Sequence, residues 1–352
     1  MEQQKMIKSV RFFLLVLLLP VFVIAQEKSD VTFVTNVSGV GVSAATFLEI
    51  GIGARAAAMG GAYAAIANDA TALYWNPAGI AWIGGVQAEF MHSEWLAGTS
   101  FDYFGLVFAL PAINSSIGAS ITYLDYGESP VRTVERPEGT GEKYSARDYA
   151  LGLSYSLALT NRFSFGLTGK YISQRIWSEE GSTVAVDVGV FYKTSLKGLH
   201  LGASMSNFGS DIRLEGRHLT TIVDPDPLVE NFDRVPVNYK VGAYALPLLF
   251  RVGLAYEQGI GEYMRALLAV DVNHPSNTTE SINVGMEVAV ADMFYFRGGY
   301  ENMFERDAIN GLTLGGGFDY FQRGSWGIRI DYAWSDWGIL EKTQRFSVGI
   351  RF

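Results

Sequence analysis

Apolar and polar positions alternate one for one along most of the chain beyond residue 84. Val184, Val186, Val188, Val190 and Tyr192 interleave with Ala185, Asp187, Gly189 and Phe191. Ile282, Val284, Met286, Val288 and Val290 interleave with Asn283, Gly285, Glu287 and Ala289. Phe346, Val348, Ile350 and Phe352 do the same with Arg345, Ser347, Gly349 and Arg351. A period of two sends successive side chains to opposite faces of a strand, so each segment has one apolar face and one face of small or polar residues. The pattern predicts fourteen strands, near 84–96, 101–111, 115–126, 146–159, 161–176, 182–195, 198–210, 247–259, 262–273, 281–291, 293–303, 309–321, 325–336 and 342–352. A further alternating stretch, 235–246, is placed in a large outer loop as a protruding hairpin. Counting it as a span would reverse the order of short turns and long connections halfway along the chain. Short turns are expected near 112–114, 160–161, 195–198, 259–262, 291–293 and 321–325, and long connections at 127–145, 211–246, 274–280, 304–308 and 336–342.

A soluble sandwich also alternates, but three features favour a barrel that crosses a membrane. The segments reach the roughly 9–11 residues that a tilted strand needs to span a bilayer. Aromatic residues stand at segment ends (Trp95, Tyr123, Tyr155, Tyr171, Tyr192, Tyr256, Tyr300, Tyr320, Trp334), as in an interfacial girdle. The last strand ends on Phe352, a terminal aromatic that resembles an outer-membrane insertion signal. In lipid, only a closed barrel leaves no unpaired strand edge. On this reading Lys170, Arg251, Arg265, Arg297, Arg329, Arg345 and Arg351 point inward, together with Glu89, Asp187, Glu257, Asp271, Glu287, Asp319 and Asp331. Seven charges of each sign predict ion pairing inside the barrel and no strong selection for one sign of ion.

Composition then narrows the class. Charged residues make up 18% of the chain, against about 25% in soluble domains, and 39 of 352 residues are Gly. The absence of Cys excludes disulfides, Cys-ligated metal sites, a thiol nucleophile and a lipoprotein anchor. The four His have no metal-ligand spacing, no cofactor is implied, and a net charge of −9 gives no footprint for nucleic acid. No GxSxG motif occurs, and no serine is singled out beside His92 or His200, so an enzyme is not expected. Residues 1–25 read as a signal peptide. Lys5, Lys8 and Arg11 precede an apolar run from Phe12 to Ile24, with cleavage expected between Ala25 and Gln26. Removing it takes away three cations and one acid and moves the net charge from −9 to −11. Residues 26–46 form a polar extension.

Residues 47–83 (FLEIGIGARAAAMGGAYAAIANDATALYWNPAGIAWI) are helix-prone, rich in Gly and Ala, and too irregular for strands. They are too apolar for solution and are predicted to fold into the lumen as a plug before the 84–352 barrel. Gly51-Ile-Gly53-Ala-Arg55-Ala56 matches a dinucleotide fingerprint only superficially, because no strand precedes it and no βαβ unit surrounds it. Arg55, Asp69 and Asn76 are expected to lock the plug by hydrogen bonds, with a functional hatch role as the sharper alternative. In the loop 211–246, Asp224-Pro-Asp226-Pro suits turns and predicts a solvated acidic loop, with contact to a partner as the alternative.

The run Gly53-Ala-Arg55-Ala-Ala-Ala-Met59-Gly60-Gly61-Ala-Tyr63, then Asn68-Asp69-Ala70, then Tyr74-Trp75-Asn76-Pro77-Ala78-Gly79-Ile80-Ala81, resembles the PorV/PorQ family of FadL-like outer-membrane barrels. Ser206-Asn207-Phe208-Gly209 and the run from Leu246 to Gly253 extend the likeness over nearly the whole mature chain. The resemblance implies an all-β, FadL-like, fourteen-stranded barrel with a mainly helical N-terminal hatch, in the outer membrane of a Bacteroidota-type bacterium. It marks Gly53, Arg55, Met59, Gly60, Gly61, Asp69, Asn76, Pro77 and Gly79 as the hatch motif. It implies a role in type IX secretion, with outer-membrane lipid around the barrel. The implied partners are secreted proteins carrying a C-terminal signal domain, or other secretion components. The FadL-like alternative is a channel for long-chain fatty acids or another hydrophobic ligand.

Overall fold

The computed structural model describes residues 41–223, 235–305, 308–322 and 326–352. The expected signal peptide, the Ala25–Gln26 cleavage position, most of the 26–46 extension and the Asp224-Pro-Asp226-Pro segment lie outside the described residues.

Fourteen antiparallel strands close into one barrel. They are β1 (Val86–Glu94), β2 (Ser100–Leu110), β3 (Ser115–Pro130), β4 (Lys143–Ala158), β5 (Phe163–Ile176), β6 (Glu179–Lys193) and β7 (Leu199–Gly209), then β10 (Leu249–Ile260), β11 (Met264–Pro275), β12 (Ser281–Val290), β13 (Phe294–Met303), β14 (Leu312–Phe321), β15 (Gly327–Asp336) and β16 (Lys342–Arg351). Each strand pairs with its neighbour, and β1 closes on β16 with Gln87 opposite Arg351. Beyond that pair, the Val86 and Phe352 backbones exchange hydrogen bonds of 3.1 and 2.9 Å, so the terminal residue completes the seam. The two strands between β7 and β10, β8 (Thr220–Val223) and β9 (Val235–Asn238), form a separate two-stranded sheet outside the barrel. The 235–246 stretch thus stays outside the wall as expected, but only its first four residues form a strand, and they pair with 220–223 rather than with the rest of the stretch.

The alternation has the predicted sense. Val184 and Val186 face outward and are exposed, while Ala185 and Asp187 between them are buried in the lumen. Exposed aromatics ring both ends of the wall: Tyr155, Tyr192, Tyr263 and Tyr320 near the short turns, and Tyr126, Phe208, Tyr300 and Phe346 near the loops. Lipid-facing apolar side chains between two aromatic belts are what a bilayer selects.

Three details differ from the expectation. β3 and β4 continue past the membrane-length span, pairing Glu128 with Ser145 and Pro130 with Lys143 beyond a bulge, so the loop between them shortens to 131–142. At the same end of the barrel, β5 and β6 are joined by only Trp177 and Ser178, with Trp177 in the left-handed region (φ 55°) that a tight hairpin requires. Loop length therefore does not sort the two mouths at this connection. Trp95 does not join the lipid girdle: it turns inward and packs edge-on against Trp337 at 5.1 Å.

The hatch occupies the lumen as short helical turns joined by bends. These are 3₁₀ turns at Thr46–Glu49 and Pro77–Trp82 and two α-helical turns, α1 (Ala54–Ala58) and α2 (Ala72–Trp75). α1 rests on β14, β15 and β16, and Pro77–Trp82 rests on β3 to β6. Pieces this short gain little from their own hydrogen bonds and depend on packing against the wall.

Candidate functional site

The residues of the hatch motif fall into three contact regions. The first is an ionic network around Arg55. Its Nε and Nη2 donate to the two Glu287 carboxylate oxygens of β12 at 2.9 and 3.2 Å, and its Nη1 donates to Tyr63 Oη at 3.1 Å and Asn68 Oδ1 at 2.8 Å. Asp69 accepts from Tyr63 Oη at 2.5 Å and from Arg329 Nη2 at 2.9 Å. Arg329 reaches Glu89 at 2.8 Å and Asp331 at 2.9 Å, and Arg297 joins Glu287 at 2.7 Å to Asp331 at 2.6 Å. The chain of contacts therefore runs from β1 through the hatch to β12, β13 and β15. Burial alone would raise the Asp69 carboxyl. Arg329, Arg55 and the hydrogen bonds from Thr71 and Tyr63 outweigh it and hold the group well below the ordinary carboxylate range.

The second region is Asn76-Pro77-Ala78-Gly79. Asn76 is fully buried. Its Nδ2 donates to the carbonyls of Ala64 (2.9 Å) and Val190 (3.0 Å), and its Oδ1 accepts from Ala78 N–H at 3.2 Å. This last bond caps the 3₁₀ turn, with Pro77 at its first position, where the missing N–H is no loss. The turn lies directly on strand glycines: a Cβ on Gly166 of β5 would come within 2.3 Å of the Pro77–Ala78 backbone. Ser156 and Ser164 of the wall both donate to the Ala78 carbonyl.

The third region is Met59-Gly60-Gly61 against β12 and β13. Gly60 and Gly61 have φ of 63° and 70°, which only glycine adopts without strain. A Cβ on Gly285 would meet the Met59 carbonyl at 2.3 Å. The Asp271 carboxylate of β11 accepts both the Tyr63 and Ala64 N–H groups at 2.8 Å. Gly53 opens α1 at φ 86°, and Gly79 packs on the Ala67 carbonyl.

Two cavities flank the hatch. The inner one, at the short-turn mouth, holds about 190 Å³ and is lined by Arg55, Glu89, Arg265, Arg297, Asp319 and Arg329. The outer one holds about 280 Å³ and is lined by Glu49, Trp75, Trp95, Arg251, Glu301 and Trp337 among others. Charged and amide groups line both.

The structure brings Arg55 and Asp69 together through Tyr63, and keeps Asn76, Pro77 and Gly79 apart from them on another wall. Ala25 and Gln26 lie outside the described residues, and Phe352 stands exposed at the seam. Tyr63 and Asp271 were not singled out as hatch contacts. Tyr63 stood within the quoted motif, and Asp271 was legible only as an inward charge.

A closed fourteen-stranded barrel with a plugged lumen and a lipid-facing apolar band defines a protein that spans a membrane with its strands. Solved structures agree on the fold. The Ralstonia pickettii toluene transporter TbuX superposes with a TM-score of 0.53 at 13% identity, covering 86% of this chain and 98% of its own. The CymD monoaromatic hydrocarbon channel gives 0.55 at 10% identity, covering 86% and 96%. A Pseudomonas aeruginosa FadL homologue gives 0.52 at 12%, covering 84% and 96%. Likeness at this identity establishes the fold alone. No curated protein matches the sequence. The family described as type IX secretion system protein PorV matches residues 33–217, more than half of the chain, and the chain belongs to that family.

Proposed function

We propose that this barrel serves type IX secretion in a Bacteroidota-type outer membrane by holding a protein partner on its outer face. The partner is the C-terminal signal domain of secreted cargo or another component of the attachment machinery. The observation that carries the reading is the hatch: its ion pairs reach β12 and β15 and its backbone meets β1, β5, β11 and β13, so it crosses the lumen between two small polar cavities. The outer end carries surface for a partner. The extended β3–β4 arm and the β8–β9 hairpin project there, and the hairpin exposes Ile222, Val235 and Val237. Exposed apolar residues on a projecting hairpin fit a protein contact.

The alternative, a channel for hydrophobic solutes, takes its support from the toluene transporter and the monoaromatic hydrocarbon channel that share the fold. It needs an apolar path past the hatch, and the arginines, carboxylates and amides lining the two cavities disfavour one. A deletion strain decides between them. On the secretion reading, cargo with C-terminal signal domains accumulates inside the cell, and the Ile222→Asp/Val237→Asp variant rescues poorly. Normal secretion in the deletion strain, with impaired growth on hydrophobic substrates, would favour the channel.

A further inference from the structure

The outer cavity contains more polar chemistry than its own walls satisfy. Arg251 and Arg345 are each only 4% exposed, and Arg251 Nη1 and Arg345 Nε find no hydrogen-bond partner among the described residues. Asn273 Oδ1, an acceptor on the same wall, also lacks one. Leaving buried polar groups unpaired is costly, so an arrangement that keeps several on one cavity wall points to a guest that completes them. The guest must both accept from guanidinium N–H groups and donate to an amide oxygen. A hydroxyl does both.

Charge narrows the class. Glu49, Glu301 and Glu305 line the cavity together with Arg251 and Arg345. The two signs are interleaved: Arg251 shares the cavity wall with Glu49, whose carboxylate accepts from Asn277 at 3.0 and 3.2 Å. An anion entering here meets three carboxylates, and a cation meets two guanidiniums. A neutral polyhydroxylated ring meets neither penalty. The indoles of Trp75, Trp95 and Trp337 supply apolar wall for its C–H faces. A volume of about 280 Å³ is near the lower limit of small-ligand sites, the range for one sugar ring.

We propose that this cavity binds an uncharged sugar residue entering from the outer mouth. The inference is independent of the secretion reading, since it rests on the cavity wall and not on the projecting loops. A free sugar and the end of a surface glycan chain share this chemistry.

The test uses the full chain in a detergent without a sugar headgroup, read by tryptophan fluorescence. Neutral methyl glycosides of glucose, galactose, mannose and N-acetylglucosamine are titrated beside acetate and methylguanidinium. At least one glycoside should give a saturable change. Asn273→Ala and Arg345→Gln should each weaken it by about tenfold, the loss of one charge-assisted or buried hydrogen bond. Glu128→Gln, on the exposed Lys143 pair, should leave it unchanged. Heat-modifiable gel migration confirms that each variant is folded. An oligosaccharide ending in the preferred unit binds if surface glycans are the source, and only the free glycoside binds if they are not. No saturable response to any glycoside, tighter binding of either charged probe, or unchanged affinity in folded Asn273→Ala would overturn the proposal.

Discussion

Arg55 is almost fully buried, with two of its nitrogens on one carboxylate and a third shared between Tyr63 and Asn68. Arg55→Leu would leave Glu287, itself buried, with Arg297 as its remaining ionic partner. Removing one member of a buried pair costs about 3–5 kcal/mol. The expected outcome is a lower unfolding midpoint in detergent and easier proteolysis within residues 44–83. Asp69 adds a pH dependence. Its carboxyl is depressed in the folded state, so its contribution is complete above the unfolded value of about 3.9 and is lost as the pH falls towards the folded one. Thermal melting should therefore weaken with falling pH below about 4, and Asp69→Asn should lack that part of the slope. The inward direction of Glu287, Arg297, Arg329 and Asp331 was legible from strand parity alone. Their partners were not, because pairing across a lumen depends on strand tilt and on the path of the hatch, and neither leaves a local signal.

Strands were legible where alternation ran without interruption, and the hatch where Gly, Ala and Asn-Pro broke it. What alternation does not encode is where strands stop. β3 and β4 extend because pairing resumes after the bulge between Asp125 and Glu128, and Trp177 accepts the left-handed turn that shortens the β5–β6 connection. The glycines of the wall have a physical reason that became visible only in three dimensions: at Gly166 and Gly285 the backbone of the hatch lies where a side chain would be. Gly166→Leu should therefore displace the Pro77–Trp82 turn. Overpacking of this kind costs about 1–3 kcal/mol. A Trp82 fluorescence shift and a faster-migrating proteolytic fragment would report it. Unchanged melting and protease resistance would contradict the contact.

At the scale of the molecule, a wall of fourteen strands surrounds a lumen crossed by the hatch, and the proposed function places the partner at the outer end. The absence of native cysteine makes this accessible to a single engineered crosslink. A Cβ on Gly315 of β14 would lie 2.5 Å from Ala58 Cβ of α1 and 2.4 Å from the Tyr332 carbonyl of β15, so a disulfide there needs both the hatch turn and the neighbouring strand to give way by about 1 Å. The most direct measurement is cargo secretion in a deletion strain complemented with the Ala58→Cys/Gly315→Cys chain, compared with and without reductant. If the barrel works through its outer face, secretion proceeds at the wild-type level with the hatch locked, and reductant changes nothing. Secretion that stops in the oxidised chain and recovers on reduction would show that the hatch must move, and would contradict the account.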